Sequence, residues 1–525
     1  MTLLENISIM LGKPKKTEAK LFYHGVSLER RMPSEHPLRR IKQLVDFNFI
    51  RSQVSELYGT NGNQSVDPAV ILKLMFLLFY ENIKSERALL RQLPLRLDWL
   101  WFCDYDLDEA TPDHSVLSKA RNRWGSEVFE AFFLNVLEQC INAGLVDGET
   151  IYIDSSTIDG NADIDKVQAQ FRKISEEVTG KLDNIEPVQP ETSGDDDQQD
   201  KLEKHVNPSD PDARIGRKYG KSTLGYKDHR VVDDKHGIVT TTITTPANVR
   251  DDKVLQEAMI SHQFKTKTKP KTAVADKIYG TGANYKYLHD TGTNSCIPHP
   301  KPGTSYPDKF PHKMFRYDRK QDCYICPAGQ KLQLYNRNAS VGKRYRCKRQ
   351  ICEECEYFSE CVASRQLGRQ IARNFNADYI EWADSCLSKH ERKRLMGRRQ
   401  YKAEGSFADG ANNYGFKRAR WRGITKMKIQ NLMIAAIQNL GKLLRYGQNN
   451  PKPLSSSIAI KAAFNGYWQA LIGVIEEEYA LCERILNYQR ANPVSSGKIY
   501  KNIRKLSHSS FGQQAQKTED GKGKF

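Results

Sequence analysis

The chain is expected to fold around a mixed β-sheet with flanking helices, of α+β or α/β type. Three observations predict this. Residues 150–154 and 272–276 are short β-prone runs, and each ends in a carboxylate, Asp154 and Asp276. Between them, residues 224–232 and 238–245 flank a Gly-containing turn at 233–237 and read as a hairpin. Helical stretches at 251–263 and 284–290 follow, so the order is strand, hairpin, helix, strand, helix. Residues 295–298 are a further candidate strand.

Residues 35–145 read as helical. Asp67-Pro68 is an N-cap with Pro at the first helical position, and the apolar run to Tyr80 follows it. Thr111-Pro112 repeats the signal ahead of 115–124, which carries Arg121 and Arg123. Residues 86–95 and the cluster Trp99, Trp101 and Phe102 lie between. Such short basic helices suit a helix-turn-helix-like DNA-binding unit, and equally an ordinary helical bundle. Ile164, Val167, Phe171, Ile174 and Val178 mark one face of a helix. Residues 186–200 carry six acids and no base, with Pro187, Pro190 and Gly194, so they read as a solvated linker that extends to about 213. Helices are expected at 388–404, 426–446 and 464–490. The stretch 405–424 is rich in Gly and Arg, and the tail 507–525 is expected to be disordered.

With 525 residues the chain has length for two to four domains, and 39% hydrophobic content excludes global disorder. The longest apolar run, 69–80, is broken by Lys73 and is too short for the ~20 residues of a membrane span. The sequence offers no secretory signal, so a cytoplasmic location is expected. The net charge of +18 calls for a polyanionic partner or serves solubility alone. Half of it, +9, lies in residues 391–428. That concentration favours a belt that grips phosphate.

If the strands ending at Asp154 and Asp276 are neighbours, two like charges converge and call for a cation between them. Hard oxygen donors without a nearby His suit Mg²⁺ or Mn²⁺, and a third acid from a helix would complete a two-metal site. Six of the eleven cysteines fall in one cluster: Cys323-x2-Cys326, Cys347, Cys352-x2-Cys355 and Cys361. Two C-x2-C knuckles at this spacing are a zinc signature, set against buried free thiols as the plain alternative.

Three blocks make the resemblance specific: Ile151-Tyr-Ile-Asp-Ser-Ser-Thr157, Ala273-Val-Ala-Asp-Lys-Ile-Tyr-Gly280 and Arg398-Arg-Gln-Tyr-Lys-Ala-Glu-Gly-Ser-Phe407. Accessory blocks are Asp210-Pro-Asp-Ala-Arg214, Gly225-Tyr-Lys-Asp-His229, Thr245-Pro-Ala-Asn-Val-Arg-Asp251 and Tyr414-Gly-Phe-Lys-Arg-Ala-Arg-Trp-Arg-Gly423. Over roughly residues 35–445 the chain resembles bacterial insertion-sequence transposases of the DDE type, with an RNase H-like catalytic core. The resemblance implies that Asp154, Asp276 and Glu404 are the catalytic triad and hold two Mg²⁺ (or Mn²⁺) ions. It implies a structural Zn²⁺ on Cys326, Cys352, Cys355 and Cys361, with Cys323 and Cys347 as extras or alternative ligands. The organisation it implies is an extension at 1–34, a helical DNA-binding domain at 35–145 and the first part of the catalytic domain at 146–300. A Cys-rich insertion at 314–373, a catalytic-helix part at 385–447 and a helical extension at 448–506 follow.

Relatives carry Tyr-x2-Arg-x3-Glu-x6-Lys around the third acid. Here Gln400 stands at the Arg position with Arg399 beside it, and Ala411 at the Lys position with Lys417 the nearest later Lys. Residues expected on DNA are Arg121, Arg123, Arg398, Arg399, Lys402, Lys417, Arg418, Arg420 and Arg422. Trp421 reads either as a platform for a stacked base or as a packing anchor. His229 either approaches the metal site or is structural. The implied activity is metal-dependent cleavage of double-stranded DNA at the element ends and strand transfer into target DNA, by a homodimer or larger assembly. The alternatives are an inactive transposase-derived DNA-binding protein and a metal-dependent nuclease without joining activity.

Overall fold

The computed structural model describes residues 27–59, 64–165, 206–218, 220–299, 309–339, 342–362 and 368–447, all within one compact unit, Met1–Ser455. Most of the helical face at 164–178, most of the acidic linker, the extension at 448–506 and the tail lie outside the described residues.

Seven labelled helices come first: α1 (Pro37–Leu44), α2 (Phe49–Val54), α3 (Pro68–Tyr80), α4 (Glu86–Gln92), α5 (Leu97–Phe102), α6 (Ser115–Trp124) and α7 (Glu127–Asn142). Asp67 caps α3 as expected, its side chain accepting from the Ala69 amide at 3.1 Å. Every residue of α3 from Pro68 to Phe79 is buried, so the other helices pack around it. Helix α6 starts three residues beyond Pro112. Asp113, rather than Thr111, accepts from the Ser115 amide at 2.8 Å.

The central sheet is built from β1 (Thr150–Asp159), β2 (Arg214–Lys218), β3 (Lys221–Asp233), β4 (Val239–Pro246), β5 (Thr272–Val274) and β6 (Asn294–Cys296). Its order is β2-β3-β1-β5-β6, with β4 also on β3. β1, β3 and β4 are antiparallel, whereas β5 and β6 run parallel to β1 and to each other. The predicted hairpin is therefore present. β2 went unread because it falls between the stretch taken for linker, which ends near 213, and the hairpin run that starts at 224. At Gly225 of β3 an added Cβ would meet the Ile158 carbonyl oxygen at 2.1 Å, so the strands are close enough there to require glycine.

Helices α8 (Leu255–Thr266) and α9 (Gly282–Asp290) pack on one face of the sheet, around Ile151, Ile153, Ala273 and Tyr285. The opposite face carries Tyr152 and Ile158 and joins the N-terminal helices in one large core. The two-residue period of β1 thus sends alternate side chains into two different cores.

A second sheet follows, with β7 (Arg316–Asp318), β8 (Cys323–Ile325), β9 (Lys331–Ala339), β10 (Gly342–Arg346) and β11 (Gln370–Arg373) in the order β11-β10-β9-β8-β7. Short helices α10 (Arg349–Glu353) and α11 (Phe358–Cys361) sit between β10 and β11, and Phe315, Tyr324, Leu332 and Tyr345 form its own small core. The chain then forms α12 (Ala377–Ser385), α13 (Lys389–Arg399), a π turn (Gln400–Glu404), α14 (Gly405–Tyr414) and α15 (Ile424–Tyr446). The first half of the Gly- and Arg-rich stretch is therefore helical. The architecture is mixed α+β, and among the described residues no helix is long and apolar enough to cross a membrane.

Helix α15 is apolar but carries a buried amide stripe. Asn439 accepts from the Val239 amide at 2.8 Å and donates to the Val239 carbonyl at 2.7 Å. Gln438 donates to the Ser406 carbonyl at 2.7 Å, and Asn431 donates to Thr244 Oγ1 at 2.8 Å. These amides fix α15 against β4 and α14 in one register. Its first turn is capped from the block at 210–214: Asp210 accepts from the Gly423 amide at 3.0 Å and Asp212 from the Ile424 amide at 2.9 Å.

Candidate active site

β1 and β5 pair in parallel with Thr150 opposite Thr272 and Tyr152 opposite Val274. Asp154 and Asp276 each lie two residues beyond the last of these pairs, Tyr152 and Val274. The expectation that each acid ends its strand is corrected in detail. β1 runs on to Asp159, so Asp154 projects from mid-strand, opposite Arg230 of β3. β5 stops at Val274, and Asp276 instead caps the following 3-10 turn, accepting from the Ile278 amide at 2.9 Å.

Glu404 arrives from the other side of the chain. Arg399 donates from Nη1 to Asp154 Oδ2 at 2.9 Å and from Nη2 to Glu404 Oε1 at 3.0 Å. The third acid therefore stands one guanidinium away from the first. The Asp154 carboxyl is pushed up to about 6. Burial is the main cause; Arg399 opposes it, while Asp276 and Glu404 add to it. Asp154 and Glu404 thus share one guanidinium, and Asp276 is near enough to act electrostatically on Asp154. The all-oxygen donor set, with a cationic side chain already drawn into it, fits a hard divalent cation. Among the described residues no group of three or more His, Cys, Asp or Glu has ready-made metal-binding geometry.

Neighbouring bonds hold the Glu404 segment in place. Arg398 pairs with Asp234 at 3.0 Å, Asp234 accepts from the Tyr152 hydroxyl at 2.6 Å, and Lys402 donates to the Lys235 carbonyl at 3.3 Å. The π turn is therefore clipped to the β3–β4 turn. After α14, Asp159 donates its amide to the Lys417 carbonyl at 2.9 Å, and Ala419 donates to the Asp159 carbonyl at 2.8 Å. Lys417 then reaches Ser156 Oγ at 2.6 Å, two residues from Asp154 on the same strand face.

Sequence reasoning missed Arg230. It is fully buried, bonded to Asp228 at 2.7 Å and Gln438 at 2.8 Å, and lies 4.7 Å from the rings of both Phe407 and Phe416. It ties the strand opposite Asp154 to the helix that starts beside Glu404. The only available signal was its place just after the 225–229 block.

The basic residues divide. Arg123, Arg418 and Arg422 are exposed, although Arg422 also donates to the Asn161 carbonyl at 2.8 Å. Two residues expected on DNA face protein instead. Arg121 is buried, pairs with Glu86, and lies 3.9 Å over the Trp421 ring. Arg420 donates to carbonyls at the end of α3. Trp421 also packs edge-on against Phe79 at 5.6 Å, so it is a packing anchor. His229 is buried, bonded to Thr245 at 2.9 Å, and burial lowers it to about 4, which keeps it neutral and structural. His236 packs against Tyr446.

Of the clustered cysteines, Cys326, Cys347, Cys352, Cys355 and Cys361 line one small cavity of about 30 Å³ with Leu332 and Phe358. Cys323 is buried on β8 and does not line it. Burial, with Cys352 adjacent, pushes the Cys347 thiol up to about 12.

Comparison with known families gives two matches. A model described as Transposase domain (DUF772) matches residues 26–123, and one described as Transposase DDE domain matches residues 325–444. No curated protein and no solved structure matches.

Proposed function

We propose how this insertion-sequence DDE transposase acts: it cuts double-stranded DNA at the ends of its element and joins the freed ends to target DNA. The observation that carries the reading is the junction of the three acids. Asp154 and Asp276 each follow the last β1–β5 pair by two residues, and Arg399 links Asp154 to Glu404. The strand order supports an RNase H-like core, with three antiparallel strands β1, β3 and β4 followed by parallel β5 and β6.

Asp154, Asp276 and Glu404 would hold the divalent cations, which supply Lewis-acid activation of water or a 3′-hydroxyl. The chain's own residues set the rest. Arg399 and Lys417 flank the acids and suit the scissile phosphate, standing in for the family Arg and Lys positions occupied by Gln400 and Ala411. Arg398, Lys402, Arg418 and Arg422 extend the basic surface along the backbone. Arg230 and the α15 amides hold Glu404 at the distance that chemistry requires. The N-terminal helices would bind the terminal repeats through exposed groups such as Arg123. Two ends must meet, so a dimer or larger assembly on DNA is part of the reading, as is action in the cytoplasm. A structural zinc ion on Cys326, Cys352, Cys355 and Cys361, with Cys347 as the alternative fourth thiol, would brace the second sheet.

Asp154→Ala, Asp276→Ala and Glu404→Gln are expected to abolish supercoiled-plasmid nicking and strand transfer while leaving the circular dichroism spectrum intact. Full activity in any one removes that residue from the mechanism. Cleavage without joined product in the parent chain would identify a nuclease, and DNA binding without either product an inactive relative.

A further inference from the structure

Arg399 occupies the space between carboxylates that the metal reading assigns to a cation. The π turn makes this possible. In an α-helix, side chains three or four apart share a face. The wider winding of 400–404 instead brings residues five apart to one side, so one guanidinium reaches both Asp154 and Glu404. The fit is incomplete. Arg399 Nε is buried and has no hydrogen-bond partner among the described residues. A guanidinium has five N–H donors in a fixed fork and cannot discharge by losing a proton. It can leave the acids only by moving.

We propose that Arg399 is a displaceable stand-in cation. It neutralises Asp154 and Glu404 until a divalent ion enters, and then turns to the scissile phosphate. The inference rests on the metal reading of the three acids. Its two Nη groups now take one oxygen from each of two carboxylates, and a phosphate offers two oxygens to the same fork. While Arg399 holds the acids, an incoming ion must compete with it, so metal alone binds weakly. DNA that holds Arg399 on phosphate removes the competitor. Metal and DNA are therefore coupled through one side chain, and the coupling is reciprocal.

The test titrates Mn²⁺ alone into the full chain without DNA, following free Mn²⁺ by electron paramagnetic resonance. Arg399→Gln is expected to bind Mn²⁺ about tenfold more tightly than the parent, the size of effect that corresponds to ~1.4 kcal/mol. Its metal-free form should melt lower, and Mn²⁺ should raise its melting temperature further than the parent's. Arg399→Lys keeps a charge without the two-pronged bridge and should fall between; it carries the comparison if Arg399→Gln does not fold. Folded variants with unchanged or weaker Mn²⁺ affinity overturn the proposal. Asp154→Asn separates the two ideas. If it binds Mn²⁺ like the parent, the metal reading of the acids itself falls. If it loses Mn²⁺ while the Arg399 variants match the parent, only the stand-in role falls.

Discussion

Arg420→Ala separates two roles for a single arginine in the basic stretch. As a phosphate contact, its loss would weaken DNA binding and leave the fold alone. The structure places it elsewhere. Arg420 donates to the Leu78 carbonyl at 3.0 Å, to Asn82 Oδ1 at 3.1 Å, to the Tyr414 carbonyl at 3.1 Å and to the Ile83 carbonyl, with its guanidinium 4.5 Å from the Phe79 ring. The Leu78 and Ile83 carbonyls lie at the C-terminal end of α3, where a positive charge is favoured. Alanine leaves these acceptors without their cation. Hydrogen bonds from a charged donor contribute roughly 1.5–3 kcal/mol each, and part of that is offset by the cost of burying the charge, so about 3 kcal/mol is a fair net loss. For a unit of this size that corresponds to a fall in melting temperature of roughly 3 °C by differential scanning calorimetry. DNA affinity, measured well below the transition, should stay within about twofold, and its salt dependence should not change. An unchanged melting temperature with weaker binding and a salt slope smaller by about one would refute the clamp and restore the phosphate contact.

Two further outcomes follow from buried groups. Asp233 accepts from the Gly148 and Lys235 amides, yet burial and the neighbouring Asp147 carboxylate push it up to about 7. A carboxyl raised above its unfolded value of ~3.9 binds its proton more tightly when folded, so stability falls as pH rises from about 4 to 7. Asp147→Asn should relieve part of this, so its stability relative to the parent should rise from pH 5 to pH 8 in urea midpoints; a difference that is flat in pH contradicts the coupling. For the thiol cavity, Cys352→Ser should lower the zinc content of the purified chain measured by mass spectrometry, whereas Cys323→Ser should not. Equal zinc in both variants, or none in the parent, removes the zinc reading.

What was legible in the chain was whatever depends on neighbours in sequence. The Asp67-Pro68 cap, the hairpin around residues 233–237 and the β-run before Asp276 all rest on local patterns, and all are present. The N-terminal limit of α15 was also nearly right, because Gly423 precedes it. The strands of the second sheet were not legible, since Cys, Lys and Arg interrupt the two-residue alternation that marks a strand. Arg121 and Arg420 looked like DNA contacts, and Trp421 stayed open between stacking and packing, because charge and aromaticity do not reveal which way a side chain turns. Their partners Glu86, Leu78 and Phe79 lie some 35 to 340 residues away in sequence. Glu404 ends a π turn, and Arg230 and Gln438 both bond the Ser406 carbonyl just after it, three features with no shared local signature.

The π turn also bears on how this candidate active site is read across a family. A pattern with Arg four residues before the acid rejects this chain, because Gln400 holds that place. The turn absorbs one extra residue, so Arg399, five residues before Glu404, still reaches it at 3.0 Å. Fixed spacing therefore misses an arginine that the backbone still brings to the acid. In a helix widened by such a turn, an arginine absent four residues before the acid is to be sought one step upstream.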